Sequence, residues 1–537
     1  MRLSQLVWIS ALVTSTSSST IASALTMPQE LPLDTLAAHA NSYSSANGIQ
    51  VERRKDDGVS TYFECAPMSL LPNAYPKPAF EQAQSLARSF NELVDKISRD
   101  AGFLSDTLEG VVEADPFTAK LLELYKEVYG NEKSYAHQAD RLGIHRSDYM
   151  LHKNPDDEIY QLKQVELNTI AASFAGLSVN ISNLHRYLTE RFGVEVADYL
   201  QENNKIVSPC TEAATGVPEN HALTGIPKGM QVAYQRFADR FCDGDTDKLY
   251  ILFVVQEGET NTVDQRMLEF NLWKDHKIPV IRMSLTKLAH HAMRDDTGAL
   301  FVDGKRIAVV YYRAGYAPTD YPDGDDGIEW RARLLIEGSK AAKCPSLGYH
   351  LAGTKKVQQE LARPGVLERF CSNVDDAANM RSAFAGLYSL GDDATDEDIK
   401  AVKDVLENGQ HGNYVLKPQR EGGGYNFYGE NLAEKIKQNV SVEKDGKVVL
   451  GKKLEEYILM QRLFPPVQPA VLLRGGKVEG QGETISELGV YGALVVDPEG
   501  EVAHNEYCGF LLRTKFSNVD EGGVASGFAT LSSPYLC

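Results

Sequence analysis

Two segments of the chain carry apolar residues at intervals of three and four positions, which is the spacing of one face of an α-helix. The first covers residues 78–100 and has Pro78 near its start, a residue tolerated in a first helical turn. The second follows Thr395, has Asp398 three positions later as in a capping box, and stops at Gly409. The two apolar stripes are Ala83, Leu86, Ala87, Phe90, Leu93, Val94 and Ile97, and Ile399, Val402, Val405 and Leu406.

Other apolar patterns predict β-strands. The run LYILFVVQE at 249–257 is almost continuously apolar, as in a strand that is buried on both faces. The segment at 301–313 has an Asp-Gly turn between β-rich stretches and predicts a hairpin. Because helices and strands alternate along the chain, the predicted fold class is α/β or α+β with several packed units. Further strands are predicted at 414–417, 457–463 and 491–504, the last of them folded back at 497–500.

Length and charge narrow the class of protein. A chain of 537 residues exceeds one ordinary hydrophobic core, so two or three packed units are expected. The net charge is −19, from 55 Lys and Arg against 74 Asp and Glu. This charge argues against a nucleic acid or an anionic membrane as a partner. It does not argue against a small anionic ligand, for which a few local basic residues suffice.

The cysteines are scattered, odd in number, and form no Cys-x-x-Cys pair. This pattern predicts free thiols in a reducing compartment and no zinc site. The seven are Cys65, Cys210, Cys242, Cys344, Cys371, Cys508 and Cys537.

The first 28 residues differ from the rest of the chain. They contain one arginine, an apolar run from Leu6 to Val13, many Ser and Thr, and no acidic residue. The apolar run is too short to span a membrane, and the segment is typical of a signal or transit peptide ending near Ala22–Ala24. An organelle with a reducing interior, a plastid or a mitochondrion, agrees better with unpaired cysteines than secretion does. The alternatives are a disordered tail, or translation that starts at Met27.

A lysine, a glutamate and a glycine cluster lie together in YVLKPQREGGGYNFYG. Lys417 ends a predicted strand, so its ammonium can reach phosphate oxygens, and Gly422–Gly424 allow backbone N–H groups to approach a ligand closely. Glu421 is an oxygen ligand suited to Mg²⁺. The spacing matches neither a P-loop nor a Rossmann fingerprint. The segment therefore predicts a nucleotide–metal site of another kind, and the alternative is a flexible surface loop.

A second pair of oxygen ligands lies in QVELNTIAASFAGL. In a strand, Glu166 and Asn168 point to the same face and could form the other half of a Mg²⁺ site. The alternative is an exposed strand face. Arginines that could hold carboxylates bidentately stand at Arg146, Arg313 and Arg513, but their spacing alone assigns none of them.

Taken together, these segments resemble the eukaryotic glutathione synthetases. The shared motifs occur in the order and at the spacing of that family and extend from about Tyr62 to the C-terminus. Agreement over so many segments is far more specific than any single motif. The motifs are RSDYM, VELNTIAASFAGL, VDQR, VVYYRAGY, AAKCP, LAGTKKVQQELARPGVLERF, YVLKPQREGGG, YILM, ISELG, LLRTK and GGVASG.

The resemblance implies an ATP-grasp fold, in which the nucleotide lies between two β-rich lobes under a glycine-rich lid. After the presequence at 1–28, the expected organisation is an N-terminal helical region with the first part of the ATP-grasp body at 29–246, a substrate-binding α/β domain at 247–353, and an ATP-binding domain at 354–537. The implied reaction joins γ-glutamylcysteine to glycine through an acylphosphate, with ATP as co-substrate and release of ADP and phosphate. The implied assembly is a homodimer with two Mg²⁺ per site. The presequence, rather than the resemblance, places it in a plastid or mitochondrion, and otherwise the expected location is the cytoplasm.

The resemblance also implies roles for individual residues. The Mg²⁺ ligands would be Glu166, Asn168 and Glu421. The residues that supply positive charge for catalysis would be Arg513, Lys417 and Lys355. ATP would be surrounded by Glu166, Lys355, Lys417, Pro418, Gln419, Arg420, Glu421, Gly422, Gly423, Gly424, Tyr425, Asn426, Tyr428, Met460, Gln461, Arg462, Leu463, Glu487, Lys515 and Glu521. The peptide substrate and glycine would be contacted by Arg146, Ile170, Ala171, Ala172, Ser173, Glu259, Thr260, Asn261, Gln265, Arg313, Ala314, Gly315, Tyr316, Arg513, Val524 and Ala525.

Some positions depart from the family pattern. Tyr425 follows the glycines where Asn is common, Gln461 and Arg462 stand beside the expected adenine site where Glu and Lys are usual, Glu521 replaces Asp, and Ser526 replaces Ala. None of them is an expected metal ligand. Two alternatives remain open: the same ligase with β-alanine or serine as acceptor, and a catalytically silent nucleotide-binding scaffold.

Overall fold

The structure, a computed structural model, describes residues 33–537 apart from 56, 155, 156, 158, 194, 195, 197, 198, 201–215, 420–424 and 444–446. The predicted presequence at 1–28 lies outside these residues, as do Cys210, Arg420, Glu421 and the glycines at 422–424. None of the described helices is long and apolar enough to cross a bilayer. The six described cysteines are free thiols, as predicted.

The elements predicted from hydrophobic patterns are present. The first helix covers Lys77–Ser98 and turns its apolar stripe into the core. The second covers Asp396–Leu406, and its N-cap Thr395 forms the predicted capping box with Asp398. The Asp-Gly turn joins Leu300–Val302 to Lys305–Tyr312 in an antiparallel hairpin. The chain folds back after Val496 into a second long strand, as predicted.

The helices are numbered in chain order. They are α1 Leu33–Asn47, α2 Lys77–Ser98, α3 Ala101–Thr107, α4 Glu109–Ala114, α5 Pro116–Tyr129, α6 Ala175–Arg191, α7 Ala222–Phe241, α8 Thr262–His276, α9 Leu285–His291, α10 Ile328–Glu337, α11 Leu347–Ala352, α12 Lys355–Ala362, α13 Val374–Ala383, α14 Asp396–Leu406 and α15 Gly429–Lys437. Short 3₁₀ helices lie at Tyr135–Gln138, Pro318–Asp320, Leu367–Phe370, His411–Asn413 and Lys452–Glu456.

The strands are numbered in the same way. They are β1 Gln50–Arg54, β2 Thr61–Cys65, β3 Met68–Ser69, β4 Asn73–Tyr75, β5 Arg141–His152, β6 Gln161–Asn168, β7 Leu249–Val254, β8 Val280–Met283, β9 Ala292–Arg294, β10 Leu300–Val302, β11 Lys305–Tyr312, β12 Ala342–Cys344, β13 Leu387–Tyr388, β14 Tyr414–Pro418, β15 Val440–Val442, β16 Val448–Leu450, β17 Tyr457–Gln461, β18 Gln468–Arg474, β19 Lys477–Val496, β20 Val502–Phe516, β21 Thr530–Ser532 and β22 Pro534–Leu536.

The large sheet has 13 strands in the order β18-β3-β21-β20-β19-β5-β12-β11-β10-β9, with β6 beside β5, β7 beside β11 and β8 beside β7. Strands from each of the predicted ranges 29–246, 247–353 and 354–537 join this sheet. The boundaries between these ranges stay a prediction. The strands β7, β11 and β12 pair in parallel, whereas β5, β19 and β20 pair antiparallel, so the fold is a mixed α/β structure.

A second, smaller sheet has the order β13-β17-β14. Helices α14 and α15 cover it, and side chains such as Val402, Leu416, Leu432 and Leu459 form its separate apolar core. The last residues of β6 and β20 and the middle of β19 on the large sheet line a cavity together with β14 and β17 of the small sheet. Two β-rich lobes with a cavity between them are the arrangement expected of an ATP-grasp fold.

Candidate active site

One cavity of about 320 Å³ lies between the two sheets. Most of the sequence-predicted site residues that the structure describes line it: Arg146, Glu166, Asn168, Ile170, Ala171, Ser173, Tyr316, Lys355, Lys417, Pro418, Tyr425, Asn426, Tyr428, Met460, Gln461, Arg462, Leu463, Glu487, Arg513, Lys515, Glu521, Val524 and Ala525. Segments that are hundreds of positions apart in sequence therefore meet in one place.

Strand register brings the charged residues together. Across β5 and β6, Arg146 pairs with Asn168 and Asp148 pairs with Glu166. Across β19 and β20, Glu487 pairs with Arg513. Residues directly opposite each other in an antiparallel pair lie about 5 Å apart, so each pairing makes a compact unit of complementary groups.

Glu166 lies next to two lysines from different elements. Its Oε2 is 3.4 Å from Nζ of Lys355, the first residue of α12. Lys417, near the end of β14, donates from Nζ to the carbonyl oxygen of Val165 at 3.2 Å. Burial raises the pKa of Glu166, but the charges of Lys355 and Lys417 outweigh it and lower this pKa to about 2. The carboxylate is therefore ionised throughout the physiological range.

Lys417 carries the opposite perturbation. Burial lowers its pKa to about 8, with a further lowering from Lys355 and a partial compensation from Glu166. An anion placed beside a buried ammonium favours its charged form and so raises its pKa again. Each unit of that pKa change corresponds to about 1.4 kcal/mol of interaction. The ammonium group of Lys417 is therefore suited to bind an anion in the cavity.

Two arginines converge on one buried carboxylate behind the cavity wall. Arg146 donates from Nε to Asp148 Oδ1 at 2.7 Å and from Nη2 to Oδ2 at 2.8 Å. Arg513 donates from Nη2 to Asp148 Oδ2 at 2.8 Å and also pairs with Glu487. Although burial lowers it, the pKa of Arg513 is raised overall by Glu487 and Asp148. These contacts hold both guanidinium groups against the same carboxylate.

The segment between β6 and α6 has a strained backbone. Ala171 has φ 51° and Phe174 has φ 72°, both in the left-handed region that non-glycine residues seldom adopt. Buried Asp264 holds this conformation, since its carboxylate accepts the N–H groups of Phe174 at 2.7 Å and Gly176 at 2.8 Å. Arg313 supports the same segment by donating from Nη1 to the carbonyl oxygen of Ala172 at 2.8 Å.

Some predicted substrate residues do not line the cavity. Arg313 is 4% exposed and acts on the cavity wall through Ala172 and Ser173. Glu259, which precedes α8, accepts a hydrogen bond of 2.6 Å from Nε2 of Gln265 in that helix. The predicted residues that lie off the cavity are Ala172, Glu259, Thr260, Asn261, Gln265, Arg313, Ala314, Gly315 and Gln419.

Comparison with known proteins decides the family. The family model described as "Eukaryotic glutathione synthase, ATP binding domain" matches residues 30–536.

This chain belongs to the eukaryotic glutathione synthase family. It is 43% identical over 471 residues to the chloroplastic glutathione synthetase of Solanum lycopersicum, covering 88% of this chain and 78% of that protein. It is 38% identical over 506 residues to the glutathione synthetase of Homo sapiens, covering 94% and 97%. The structure of a glutathione synthetase-like effector from Globodera pallida matches with a TM-score of 0.69 at 22% identity, over 94% of this chain and 97% of that one, and confirms the fold.

The positions that depart from the family pattern take defined places at the cavity mouth. Gln461 lines the cavity while its Oε1 accepts the N–H of Gly386 at 3.0 Å. Arg462 bridges the mouth by an ion pair of 2.7 Å with Asp520. Glu521 accepts the N–H of Asn426 at 3.2 Å. These contacts tie β17 and the start of the segment after the glycines to the loop at 517–526.

Sequence reasoning missed two kinds of residue. The first is the remaining lining of the cavity, which is apolar or small apart from Asp520 and has strand periodicity as a signal only at its strand positions: Met150, Val165, Phe174, Val415, Ile485, Ser517, Val519, Asp520, Gly522, Gly523 and Ser526. The second is the pair of buried carboxylates, Asp148 and Asp264, which hold site residues without lining the cavity. Both stand inside quoted motifs, RSDYM and VDQR, but no local pattern marks them as supporting groups.

Proposed function

We propose that this chain is a glutathione synthetase, an ATP-dependent ligase that joins the cysteine carboxylate of γ-glutamylcysteine to the amine of glycine. The observation that carries the proposal is the single cavity that collects Glu166, Lys355, Lys417 and Arg513 from four separate elements. Family membership over nearly the whole chain supplies the reaction.

The chemistry needs an activated carboxylate. Transfer of the γ-phosphoryl group of ATP to the cysteine carboxylate forms an acylphosphate and ADP. The glycine amine then attacks the acyl carbon, the C–N bond forms, and phosphate leaves with the electron pair of the C–O bond. No covalent bond to the protein is required, so the protein contributes positioning and neutralisation of charge.

Each charged group of the cavity has a proposed part in this reaction. Lys417 and Lys355 bind phosphate oxygens and neutralise the charge that develops during transfer. Arg513, on the same strand as Lys515, holds the carboxylate of the peptide substrate while Lys515 faces the nucleotide. The strand β20 would thereby align the phosphoryl donor with its acceptor. Water must be excluded, because it would hydrolyse the acylphosphate.

We propose two Mg²⁺ ions per site, held by Glu166, Asn168 and Glu421. The described donors fit a hard cation: an ionised carboxylate with its pKa near 2 and an amide lie two positions apart on one face of β6, at the cavity. When bound, Mg²⁺ would neutralise and orient the phosphate oxygens. Among the described residues no cluster of three or more His, Cys, Asp or Glu forms a metal site by itself, so the nucleotide and residues 420–424 would have to complete it.

The loop at 522–526 is relevant to which amino acid is joined to the peptide substrate. Gly522, Gly523, Val524, Ala525 and Ser526 line the cavity and offer little side-chain volume. A loop of small residues agrees with glycine as the acceptor. The deciding experiment measures ADP formation with γ-glutamylcysteine and each of glycine, β-alanine and serine. Turnover that is fastest with glycine supports the proposal. Faster turnover with another amino acid reassigns the acceptor, and no turnover with any of them supports a silent scaffold.

A homodimer is also proposed. The β1–β2 hairpin leaves Phe63 53% exposed, and the nearby helix α8 leaves Phe270 62% and Trp273 56% exposed. Exposed aromatic residues on elements that contact each other, as β1 and α8 do, are candidates for a contact surface. Light scattering of the full chain and of Phe63→Ser gives the test: a dimer that the substitution dissociates supports the surface, and a monomeric wild type contradicts it.

Residues 1–28 are proposed to be a presequence. Two of the related proteins are named chloroplastic, which agrees with an organelle as the destination. Presequences are removed or do not contribute to the catalytic body. Protein expressed from Met27 should match the full chain in ADP formation, and a folded but inactive truncated protein would contradict this.

A further inference from the structure

The buried carboxylate of Asp148 holds several site residues at once. Asp148 is 0% exposed, lies in the middle of β5, and does not line the cavity. Its two oxygens accept both donors of the Arg146 fork, one donor of Arg513 at 2.8 Å, and Nδ2 of Asn168 at 3.0 Å. One side chain therefore connects two arginines of the substrate region with a residue on the nucleotide side.

The contact with Asn168 fixes the orientation of an amide. Its Nδ2 faces two groups that can only accept hydrogen bonds: Asp148 Oδ2 at 3.0 Å and the backbone oxygen of Arg146 at 3.2 Å. Turning the amide around would place Oδ1 against those two oxygens, which is repulsive and forfeits both hydrogen bonds of the amide. The amide therefore has one allowed orientation, with Oδ1 directed away from Asp148.

We propose that Asp148 is a positioning residue. It directs Oδ1 of Asn168 toward the cation and holds Arg513 beside Asn168. The inference rests on the proposed function, since it concerns the same site. Hard cations such as Mg²⁺ bind the oxygen of an amide and are repelled by its NH₂ group. Neighbours that orient the ligands of a metal typically change its affinity by about 10- to 100-fold when they are replaced.

Register explains why one residue can do this. Asp148 lies opposite Glu166, and Arg146 lies opposite Asn168, on adjacent strands. The carboxylate of Asp148 thus reaches Asn168 diagonally across the strand pair, while Arg513 approaches from β20. A shift of either strand by one residue would turn these side chains to the other face of the sheet.

The test compares Asp148→Asn with a matched control, Asp95→Asn. Asp95 is 3% exposed and accepts from two arginines and one further donor: Arg141 at 2.6 Å, Arg99 at 3.0 Å and the Tyr349 hydroxyl at 2.8 Å. None of these groups lines the cavity. Both substitutions remove one buried negative charge between arginines, so a general loss of stability affects both alike.

The probe is Mn²⁺, titrated into the full chain loaded with the non-hydrolysable analogue adenylyl imidodiphosphate. Free Mn²⁺ is followed by electron paramagnetic resonance, and a titration of the nucleotide alone is subtracted. We expect Asp148→Asn to weaken Mn²⁺ binding by about 10-fold or more. Asp95→Asn should stay within about twofold of the wild type, even if its unfolding transition shifts.

Two outcomes overturn the inference. One is an affinity of Asp148→Asn within twofold of the wild type, and the other is an equal weakening in Asp95→Asn. If Asp148→Asn does not fold, Asp148→Glu replaces it, because the longer side chain keeps the charge between the arginines but displaces the carboxylate from Asn168. We then expect the same weakening, and unchanged affinity overturns the inference. A wild type that binds Mn²⁺ with the analogue but forms no ADP would refute the proposed function instead.

Discussion

Lys417→Met should make the ligand-free protein more stable at neutral pH while it abolishes turnover. Burial lowers the pKa of Lys417 from 10.5 to about 8. This lowering corresponds to roughly 3 kcal/mol of destabilisation while the ammonium is protonated in both the folded and the unfolded chain. Methionine keeps the aliphatic stem and loses the charge. It also removes the hydrogen bond to Val165, which is worth about 1 kcal/mol, so the expected net gain is about 2 kcal/mol at pH 7.

The gain should disappear at alkaline pH. Below pH 8 the proton stays on Lys417 in the folded protein, and the full cost of the buried charge is present. Between pH 8 and 10.5 the folded protein has lost this proton but the unfolded chain still binds it, so wild-type stability rises relative to the variant. Between pH 7 and pH 9.5, proton linkage reduces the destabilisation by the buried charge by about 2 kcal/mol. The variant and the wild type should then have nearly equal free energies of unfolding at pH 9.5.

Urea denaturation of both proteins at pH 7 and pH 9.5 measures this difference. Lys343→Met is the matched control, because burial also lowers the pKa of Lys343 to about 8 and its Nζ likewise donates to a backbone oxygen, that of Ser339 at 3.0 Å. Lys343 does not line the cavity, so this variant should gain stability in the same way and keep its turnover. A Lys417→Met protein that is less stable than the wild type at pH 7, or a difference that is independent of pH, would refute the reasoning.

Three further predictions concern the same site. Arg513→Ala should raise the KM for γ-glutamylcysteine about 10- to 100-fold but that for ATP far less, with only partial rescue by lysine; steady-state kinetics with equal shifts would contradict this. Glu421→Gln should nearly abolish ADP formation without changing the melting temperature, and near-normal turnover would remove Glu421 from the metal site. Gln419 accepts the N–H of Lys356 at 2.8 Å and so caps α12. Gln419→Met should remove this cap, at a cost of about 1 kcal/mol in the stability of the start of α12. Because Lys355 is the first residue of that helix, a loss of the same size in ATP binding would raise the KM for ATP roughly fivefold. Gln419→Glu keeps the acceptor and should keep most of the activity, and equal kinetics of the two variants would exclude this role.

Elements that depend on neighbouring residues could be predicted from the sequence. The capping box at Thr395 and the Asp-Gly turn at 303–304 are local signals, and both occur where predicted. The strand period placed Glu166 and Asn168 together, and the structure places both on the cavity. The resemblance to the family added which distant segments meet, because no local pattern contains that information.

The supporting groups could not be predicted, because they depend on register between distant strands. Asp148 meets Arg513 across 365 positions, and Asp264 meets Phe174 across 90. In sequence, each is one acidic residue in a chain that has 74. Only the pairing of β5 with β6 and the packing of α8 against α6 bring their hydrogen-bond donors within reach of these two carboxylates. The left-handed conformations of Ala171 and Phe174 are likewise invisible locally, since neither residue type favours them.

The charge of the whole chain and the charge of its cavity have different consequences. The excess of acidic residues includes exposed loops such as 323–326, and such charges are screened beyond about 8 Å at physiological ionic strength. Inside the cavity, Lys355, Lys417 and Lys515 are each less than 9% exposed, so their fields are screened much less. The net charge of −19 therefore disfavours the binding of extended polyanions, which must lie along the outer surface. A small anion such as a nucleoside triphosphate would interact with the local lysines instead.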